Sequence, residues 1–574
     1  MVLVFSIVYT LGIILGLCPY ALTVSLPTTR SCKLLPEDHG WPATEDWETL
    51  NQTVGGSLIA TVPLATVYHG TNFDQDECLK VQQGWPFADA HVAEPAEFLA
   101  PYFQNQSCDP FTPRNKPCEL GNYAHYSINA TEVRHIQEGI RFSHDKNIRL
   151  TIKSSGHDLL GKSTGKGSLS IWTHNFKTIE FIDQYYGSPN YTGSAVRLGP
   201  GVLTADATAA ASARGLRVVT GTCPSVSIAG GYTSGGGHGV FTSQYGMAAD
   251  NVLEWEVVTP KGEHLVATPQ SHQDLYWALS GGGPGTFAVV VSMVTRTYKD
   301  GIMEGATLSF DTRSTGGIEQ FWNAVTAFQS SLGPVVDAGT VLNYVLTPTS
   351  LNSYGLAIAD GNESKMNKVI QPVMAAIREV GVSLNVTKTT HNSYMDFFNH
   401  YFLDAVTQTP SAQITGGRIV PRHLMERQST ADKVTQALRQ ATESGFNTIC
   451  GAVNANKPRL YLNAVLPLWR SALLHCIFVK SWDFTVPRND MVDYQKRLTN
   501  QIMPKVEAAT PGGGSYLNEA NFEQPGWQHA FYGSNYPRLR KIKQELDPLG
   551  VLFAQTAVGS EMWTEDADGR LCRI

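Results

Sequence analysis

The segment Gly221-Thr222-Cys223-Pro224-Ser225-Val226-Ser227-Ile228-Ala229-Gly230-Gly231-Tyr232-Thr233-Ser234-Gly235-Gly236-Gly237-His238-Gly239 holds seven glycines in 19 residues. Such a run lets main chain lie directly against a flat or phosphorylated ligand. It is not a dinucleotide fingerprint, because that motif opens a long amphipathic helix and none follows Gly239. A second loop lies upstream. Gly156-His157-Asp158-Leu159-Leu160-Gly161-Lys162-Ser163 fits the phosphate-loop pattern G-x-x-x-x-G-K-[ST] and follows a strand-like run at 148–153. What comes next is turn and then strand (169–172), not the helix whose N-terminus would cradle phosphates. No apolar strand ending in a magnesium-holding Asp stands out downstream. A nucleotidase is therefore set aside. What remains is a glycine-rich loop after a strand, offering backbone N–H groups to a pyrophosphate.

Around these loops the pattern mixes helices and strands. Asn129 and Glu132 mark a helix start, and Val133, Ile136 and Ile140 repeat at helical spacing. Residues 203–214 are Ala-rich and close on Gly215. Residues 216–220, 252–258 and 287–298 read as strands, and 272–279 as a short helix stopped by Gly281, Gly282 and Gly283. Composition shifts near Asp300. Helical patterns follow at 318–332, 365–380, 432–444 and 491–508. The expected organisation is α+β: a Pro-rich extension (26–120), a first domain (121–300), a second α+β domain with a mixed or antiparallel sheet (301–505), and a final segment (506–574) returning to the first domain.

The 574 residues carry a net charge of −7, with 16% charged and 42% apolar residues. That balance supplies ample core, excludes disorder and gives no basic footprint for nucleic acid. No Lys or Arg precedes Arg30, and residues 2–17 are apolar apart from Ser6, Tyr9 and Thr10. Residues 1–25 therefore read as a secretory signal peptide, cut near Ala21 or Ser25, or retained as an anchor. Six N-x-[ST] sequons, at Asn51, Asn105, Asn129, Asn190, Asn362 and Asn385, suit glycosylated export, with no membrane association in the mature form. Of the cysteines, Cys18 lies in the signal. Cys32, Cys78, Cys108 and Cys118 allow three pairings, of which Cys32–Cys78 and Cys108–Cys118 are favoured. Cys450, Cys476 and Cys572 form a trio with at most one internal pair.

Taken together, Ser154-Ser155-Gly156-His157-Asp158, Gly221-Thr222-Cys223-Pro224, Gly230-Gly231-Tyr232 through Gly239, Tyr245-Gly246 and Asp250-Asn251 resemble FAD-linked oxidases of the vanillyl-alcohol oxidase type. Within that group they resemble most the berberine bridge enzyme-like branch in its fungal secreted form. Tyr516-Leu517-Asn518, Tyr532-Gly533-Ser534-Asn535-Tyr536, Leu539, Ile542-Lys543 and Asp547-Pro548 agree, in the family's order and spacing.

The resemblance implies an FAD tethered twice, through His157 to the flavin 8-methyl carbon and through Cys223 to ring carbon 6. Ser154, Ser155, Gly156, Asp158, Gly161, Gly230, Gly231, Ser234, Gly235, Gly236, Gly237, His238 and Asn251 would complete the cofactor's surroundings. Tyr232 stands where plant members have His. The residue after the Tyr-x-Asn run faces substrate in the family; here it is Glu519, a competent base whose pKa partial burial would lift. Tyr516 is the second choice. Plant members place Gln or Glu on the strand at 472–482, where alignment puts Phe478, with Cys476 two before it. Tyr394, His400, Tyr461 and Asn463 are polar residues without motif support. The third residue after the attachment Cys lines an oxygen niche, so Val226 would gate reoxidation. The implied activity is oxidation of a C–H bearing a hydroxyl or amine on a small molecule. Molecular oxygen would be the acceptor and hydrogen peroxide the by-product, in secondary metabolism or on sugars and simple alcohols. A non-catalytic binding protein on the same scaffold is the other reading. No metal site is expected.

Overall fold

A computed structural model describes residues 32–574. The signal-peptide expectation lies outside the described residues. Four strands build the first sheet: β1 (Leu58–Ala60), β2 (Tyr126–Asn129), β3 (Arg149–Lys153) and β4 (Ser168–Trp172). Their order is β1-β2-β4-β3, parallel from β2 through β3. Parallel pairing needs a crossover, and the helix Val133–Asp145 supplies it. Its Ile136 and Ile140 are buried against the sheet. Gly139 lets the two approach: a Cβ there would sit 2.9 Å from Ile128 and 3.1 Å from Ile171.

A second, six-stranded sheet follows: β5 (Ile179–Ile182), β6 (Ala195–Leu198), β7 (Leu216–Val218), β8 (Val252–Val258), β9 (His264–Ala267) and β10 (Val289–Lys299). All its pairings are antiparallel, with β10 at the centre. The long β-branched run of β10 suits a strand that is mostly buried.

The third sheet is antiparallel throughout: β11 (Met303–Asp311), β12 (Val341–Leu346), β13 (Ser350–Ala359), β14 (Asn385–His391), β15 (Gln413–Pro421), β16 (Asn447–Ala452) and β17 (Ala472–Ser481). Their order is β14-β11-β13-β12-β16-β17-β15. Helices Ile318–Ser330, Glu363–Glu379 and Gln428–Glu443 cover one face through Phe321, Val325, Val373, Ile377, Val434 and Leu438. The α+β expectation holds, with the second-domain sheet antiparallel.

The chain then returns. Residues 514–519 cross between β15 and the glycine-rich loop. The helix Tyr536–Leu546 packs beside Gln273–Leu279, where Arg538 lies 4.0 Å above the Trp277 ring and 2.7 Å from Asp274. Lys543 is buried, yet its ammonium donates to Asp547 (2.6 Å), Thr286 O (2.7 Å) and Leu552 O (2.6 Å). Removing one partner of such a pair costs about 3–5 kcal/mol, because the other charge is left stranded. No helix among the described residues is long and apolar enough to cross a membrane.

The cysteine expectation needs one correction. Cys108–Cys118 forms, but Cys32 bonds Cys572 rather than Cys78. A β-bridge between Cys32 and Cys572, reinforced by Lys33 N–H to Leu571 O at 2.7 Å, brings their Cα atoms within 3.9 Å. Cys78 is buried and free on the helix Gln75–Gly84. The trio yields one internal bridge, Cys450–Cys476, between directly opposed residues of β16 and β17. Peptide mapping without reduction should recover Cys32–Cys572, Cys108–Cys118 and Cys450–Cys476, with Cys78 alkylated only after unfolding. A Cys32–Cys78 peptide would contradict this arrangement. Cys572→Ser should lower stability by roughly 2–5 kcal/mol, the range for losing a native bridge.

Candidate functional site

β3 runs directly into the first loop. Ser154 donates to Pro200 O and lies 2.7 Å from Ser227 Oγ, stitching this loop to the glycine-rich one. The Asp158 carboxylate accepts from Leu160 N (3.0 Å), Ser163 N (2.7 Å) and Ser163 Oγ (2.9 Å). The phosphate-loop look-alike is thus a turn closed on its own aspartate, not a helix start. His157 Nε2 is 2.8 Å from Ser225 Oγ and 3.9 Å from Cys223 Sγ, and Cys223 is unbridged. Burial, aided by Lys153 and opposed by Asp89, pushes His157 down to about 4, so the ring is neutral at physiological pH. Burial pushes the Cys223 thiol up, and hydrogen bonds to Ser225 partly offset this. Ser225, which joins the two, carried no signal beyond its place in the loop.

Both loops open on one cavity of about 410 Å³. Ser154, Ser155, Gly156, His157, Asp158, Cys223, Val226, Gly230, Gly231, Ser234, His238, Tyr516 and Glu519 all line it. Gly161, Gly235, Gly236, Gly237 and Asn251 stand behind that lining. A Cβ on Gly235 would fall 2.3 Å from Asn518 Nδ2, and Gly237 adopts φ +70° to pass Tyr232 and Ala248. Gly161 lies against Phe103. Asn251 is fully buried: it donates to Tyr245 O and Met247 O and accepts from Arg296 (2.7 Å) and Tyr298 (2.6 Å). These five therefore shape the walls.

The far wall is the turn from Tyr516 to Glu519, closed by Glu519 N–H to Tyr516 O at 3.0 Å. The Tyr516 hydroxyl accepts from Gly237 N (3.2 Å) and Asn518 Nδ2 (2.9 Å), and Asn518 also donates to Gly231 O (2.9 Å). Burial holds the Tyr516 hydroxyl well above the ordinary phenol range, so it keeps its proton and acts as a brace. Glu519 Oε2 is shared by two imidazoles, His475 Nε2 at 2.6 Å and His238 Nε2 at 3.1 Å. Burial alone would push the Glu519 carboxyl up, as the sequence suggested. The electrostatic attraction and Nε2–H hydrogen bonds of the two imidazoles outweigh it, and the group is held well below the usual carboxylate range. Two imidazoles and a carboxylate within 4.8 Å could also hold a divalent cation. Their convergence on one oxygen is already explained by proton sharing.

His475 was missed. Alternation along β17 sends Leu474, Cys476 and Phe478 into the helix-covered core and leaves His475 and Ile477 on the other face. Phe478 and Cys476, the positions picked by alignment, are core residues. A polar residue breaking the opposite parity was the available signal. Tyr394, His400, Tyr461 and Asn463 lie off the cavity; Asn463 instead donates to Asp250 at 2.7 Å, inside the buried Asp250–Arg470 pair.

The cavity fits an FAD. Backbone of two glycine loops forms its sides. Lys162 Nζ is buried beside them with no hydrogen-bond partner among the described residues, its pKa lowered by burial to about 8 against the pull of Asp158. An orphaned ammonium in such a place calls for an anion or carbonyl oxygen from a ligand. A neutral imidazole and a free thiol stand together on one side.

Comparison with known proteins agrees. Residues 124–268 match the family described as FAD binding domain, and 515–559 match berberine and berberine like. The chain is 42% identical over 560 residues to the FAD-linked oxidoreductase ZEB1 of Gibberella zeae, covering 96% of this chain and 97% of that one. It is 42% identical over 568 residues to the bifunctional decalin synthase calF of Penicillium decumbens, covering 98% of each. The crystal structure of the VAO-type flavoprotein MtVAO615 from Myceliophthora thermophila C1 superposes with a TM-score of 0.91 at 41% identity, covering 95% of this chain and all of that one.

Proposed function

Since the chain belongs to the VAO-type, berberine bridge enzyme-like family of FAD-linked oxidoreductases, we propose that it oxidises a C–H bearing a hydroxyl or amine on a small intermediate of fungal secondary metabolism. One observation carries the reading: the neutral His157 and free Cys223 open on the same cavity as Glu519 and His238. An FAD held there would supply the hydride-accepting and oxygen-reducing chemistry, with hydrogen peroxide as by-product. The residues do the rest. His157, with an unprotonated ring nitrogen, and Cys223, 3.9 Å away, would hold the flavin through its 8-methyl carbon and ring carbon 6. The glycine walls admit the ring closely, and the cluster around Glu519 handles the substrate's proton.

That pair supports two links to the flavin. Acid-denatured protein should stay yellow, His157→Ala and Cys223→Ala should each keep one link, and the double variant should release flavin. A Cys223 peptide without flavin would contradict double attachment.

Oxygen access is assigned to Val226, half-buried beside Cys223 and lining the cavity. One extra methylene in a packed niche removes room for oxygen. A screen of primary and secondary alcohols, amines and oligosaccharides should find one that yields peroxide. With that compound Val226→Leu should slow reoxidation severalfold and spare flavin reduction. A sugar as sole reductant would move the protein to carbohydrate oxidation. Flavin that no compound reduces would favour a binding protein.

Secretion is part of the proposal. Asn105, Asn190, Asn362 and Asn385 are exposed, Asn51 and Asn129 half-buried. Mass spectrometry should find glycan on the exposed sequons; six bare asparagines in the native protein would contradict export.

A further inference from the structure

We propose that His238, through Nδ1, is the general base that takes the substrate's hydroxyl or amine proton, with Glu519 and His475 as positioning residues. The inference rests on the flavin-oxidase reading of this cavity and assigns its proton acceptor.

The hydrogen bonds set the tautomers. An ionised carboxylate can only accept, so both imidazoles that reach Glu519 Oε2 do so as Nε2–H donors. In its neutral form each ring then carries its lone pair on Nδ1. The two lone pairs differ in access. His475 is 4% exposed, lies off the cavity lining, and its Nδ1 is buried with no partner among the described residues. His238 has a side chain 29% exposed and lines the cavity, and its Nδ1 makes no hydrogen bond among the described residues. Of the two rings, His238 alone offers the cavity a free lone pair.

Glu519 is the weaker acceptor. Two N–H donors occupy the oxygen nearest them, and the ionised form is favoured by both. Its role is to fix the His238 tautomer and to stabilise the imidazolium that forms. The ring is also held from other sides. Trp469 stacks at 5.5 Å and 30°, Tyr516 meets it edge-on at 5.2 Å, and His475 at 5.1 Å. The indole face favours the protonated ring. The groups facing His238 are thus Glu519 and Tyr516 from the turn, His475 from β17, Trp469 from the segment Pro467–Ser471, and Tyr232, whose hydroxyl donates to His238 O at 3.0 Å.

The step balances. The substrate O–H bond breaks and its proton bonds to Nδ1. The oxygen's electron pair forms the C=O bond as the carbon loses its hydride to the flavin. The imidazolium later releases that proton, which leaves in the hydrogen peroxide when oxygen takes up the two electrons.

Histidine 15N resonances of the wild-type holoenzyme test the tautomer without a substrate, with His238→Gln identifying the signal. At pH 8 the expected state is Nε2 protonated and Nδ1 bare. A proton on Nδ1 with bare Nε2 would overturn the proposal. The alcohol or amine that gives peroxide in the screen then serves for rapid flavin reduction. His238→Ala should slow it about 10²–10⁴-fold, the usual weight of a general base, and added imidazole should restore part of the rate. Glu519→Gln should cost less, without imidazole rescue. Wild-type reduction in His238→Ala, with the larger loss in Glu519→Gln, would return the base to Glu519. Retained flavin colour in each variant reports an intact fold. Colourless wild-type protein after acid denaturation would instead strike at the tethered-flavin reading.

Discussion

The turn from Tyr516 to Glu519 is clamped between two backbones, and both walls of the cavity depend on that contact. On one side Gly235 leaves room for Asn518, whose amide reaches Gly231 O and the Tyr516 hydroxyl, which in turn accepts from Gly237. On the other side a Cβ on Gly417 of β15 would lie 2.1 Å from Glu519 O, and Ser515 donates to Gly417 O at 2.7 Å. Glycine is required on both sides because the approach is closer than any side chain permits. A late segment of chain thereby becomes a spacer between the glycine-rich loop of the first domain and the sheet of the second. It presents Glu519 to a histidine from each.

The same logic of close, fully paired contact holds the two domains together. Asp250 lies beside the glycine loop and takes both terminal nitrogens of Arg470 at 2.7 Å, with Asn463 as a further donor. Arg470 follows Trp469, the indole that stacks on His238. A buried ion pair adds little net stability, but its geometry is exacting and its disruption is costly. Here it sets where the aromatic wall meets the imidazole. Along the cavity between these contacts His157 is kept neutral by burial and Glu519 charged by its neighbours, two opposite outcomes set by what each group faces.

What could be read from the sequence was local. The glycine loops, His157 and Cys223 sit in short motifs whose backbone demands are written in consecutive residues. Helices such as Glu363–Glu379 and strands such as β8 follow from periodicity. What could not be read was long-range. Cys32 and Cys572 are 540 residues apart, and an isolated β-bridge sets them side by side. His475 meets Glu519 across 44 residues, and its strand was read on the wrong parity. The protonation state of Glu519 was misjudged for the same reason: burial is visible in a sequence pattern, whereas two imidazoles arriving from separate domains are not. Lys162 looked like part of a phosphate loop, and its ammonium is buried in the cavity although the helix of that motif is absent.

The central claim is that one cavity joins a tethering edge at His157 and Cys223 to a proton-accepting wall at His238 and Glu519. A crystal structure of the holoenzyme tests it most directly. The account predicts flavin density continuous with both His157 and Cys223, and a ring whose reacting face looks onto His238 and Glu519. Density that reaches neither side chain, or a ring turned so that these residues lie behind it, would contradict the account.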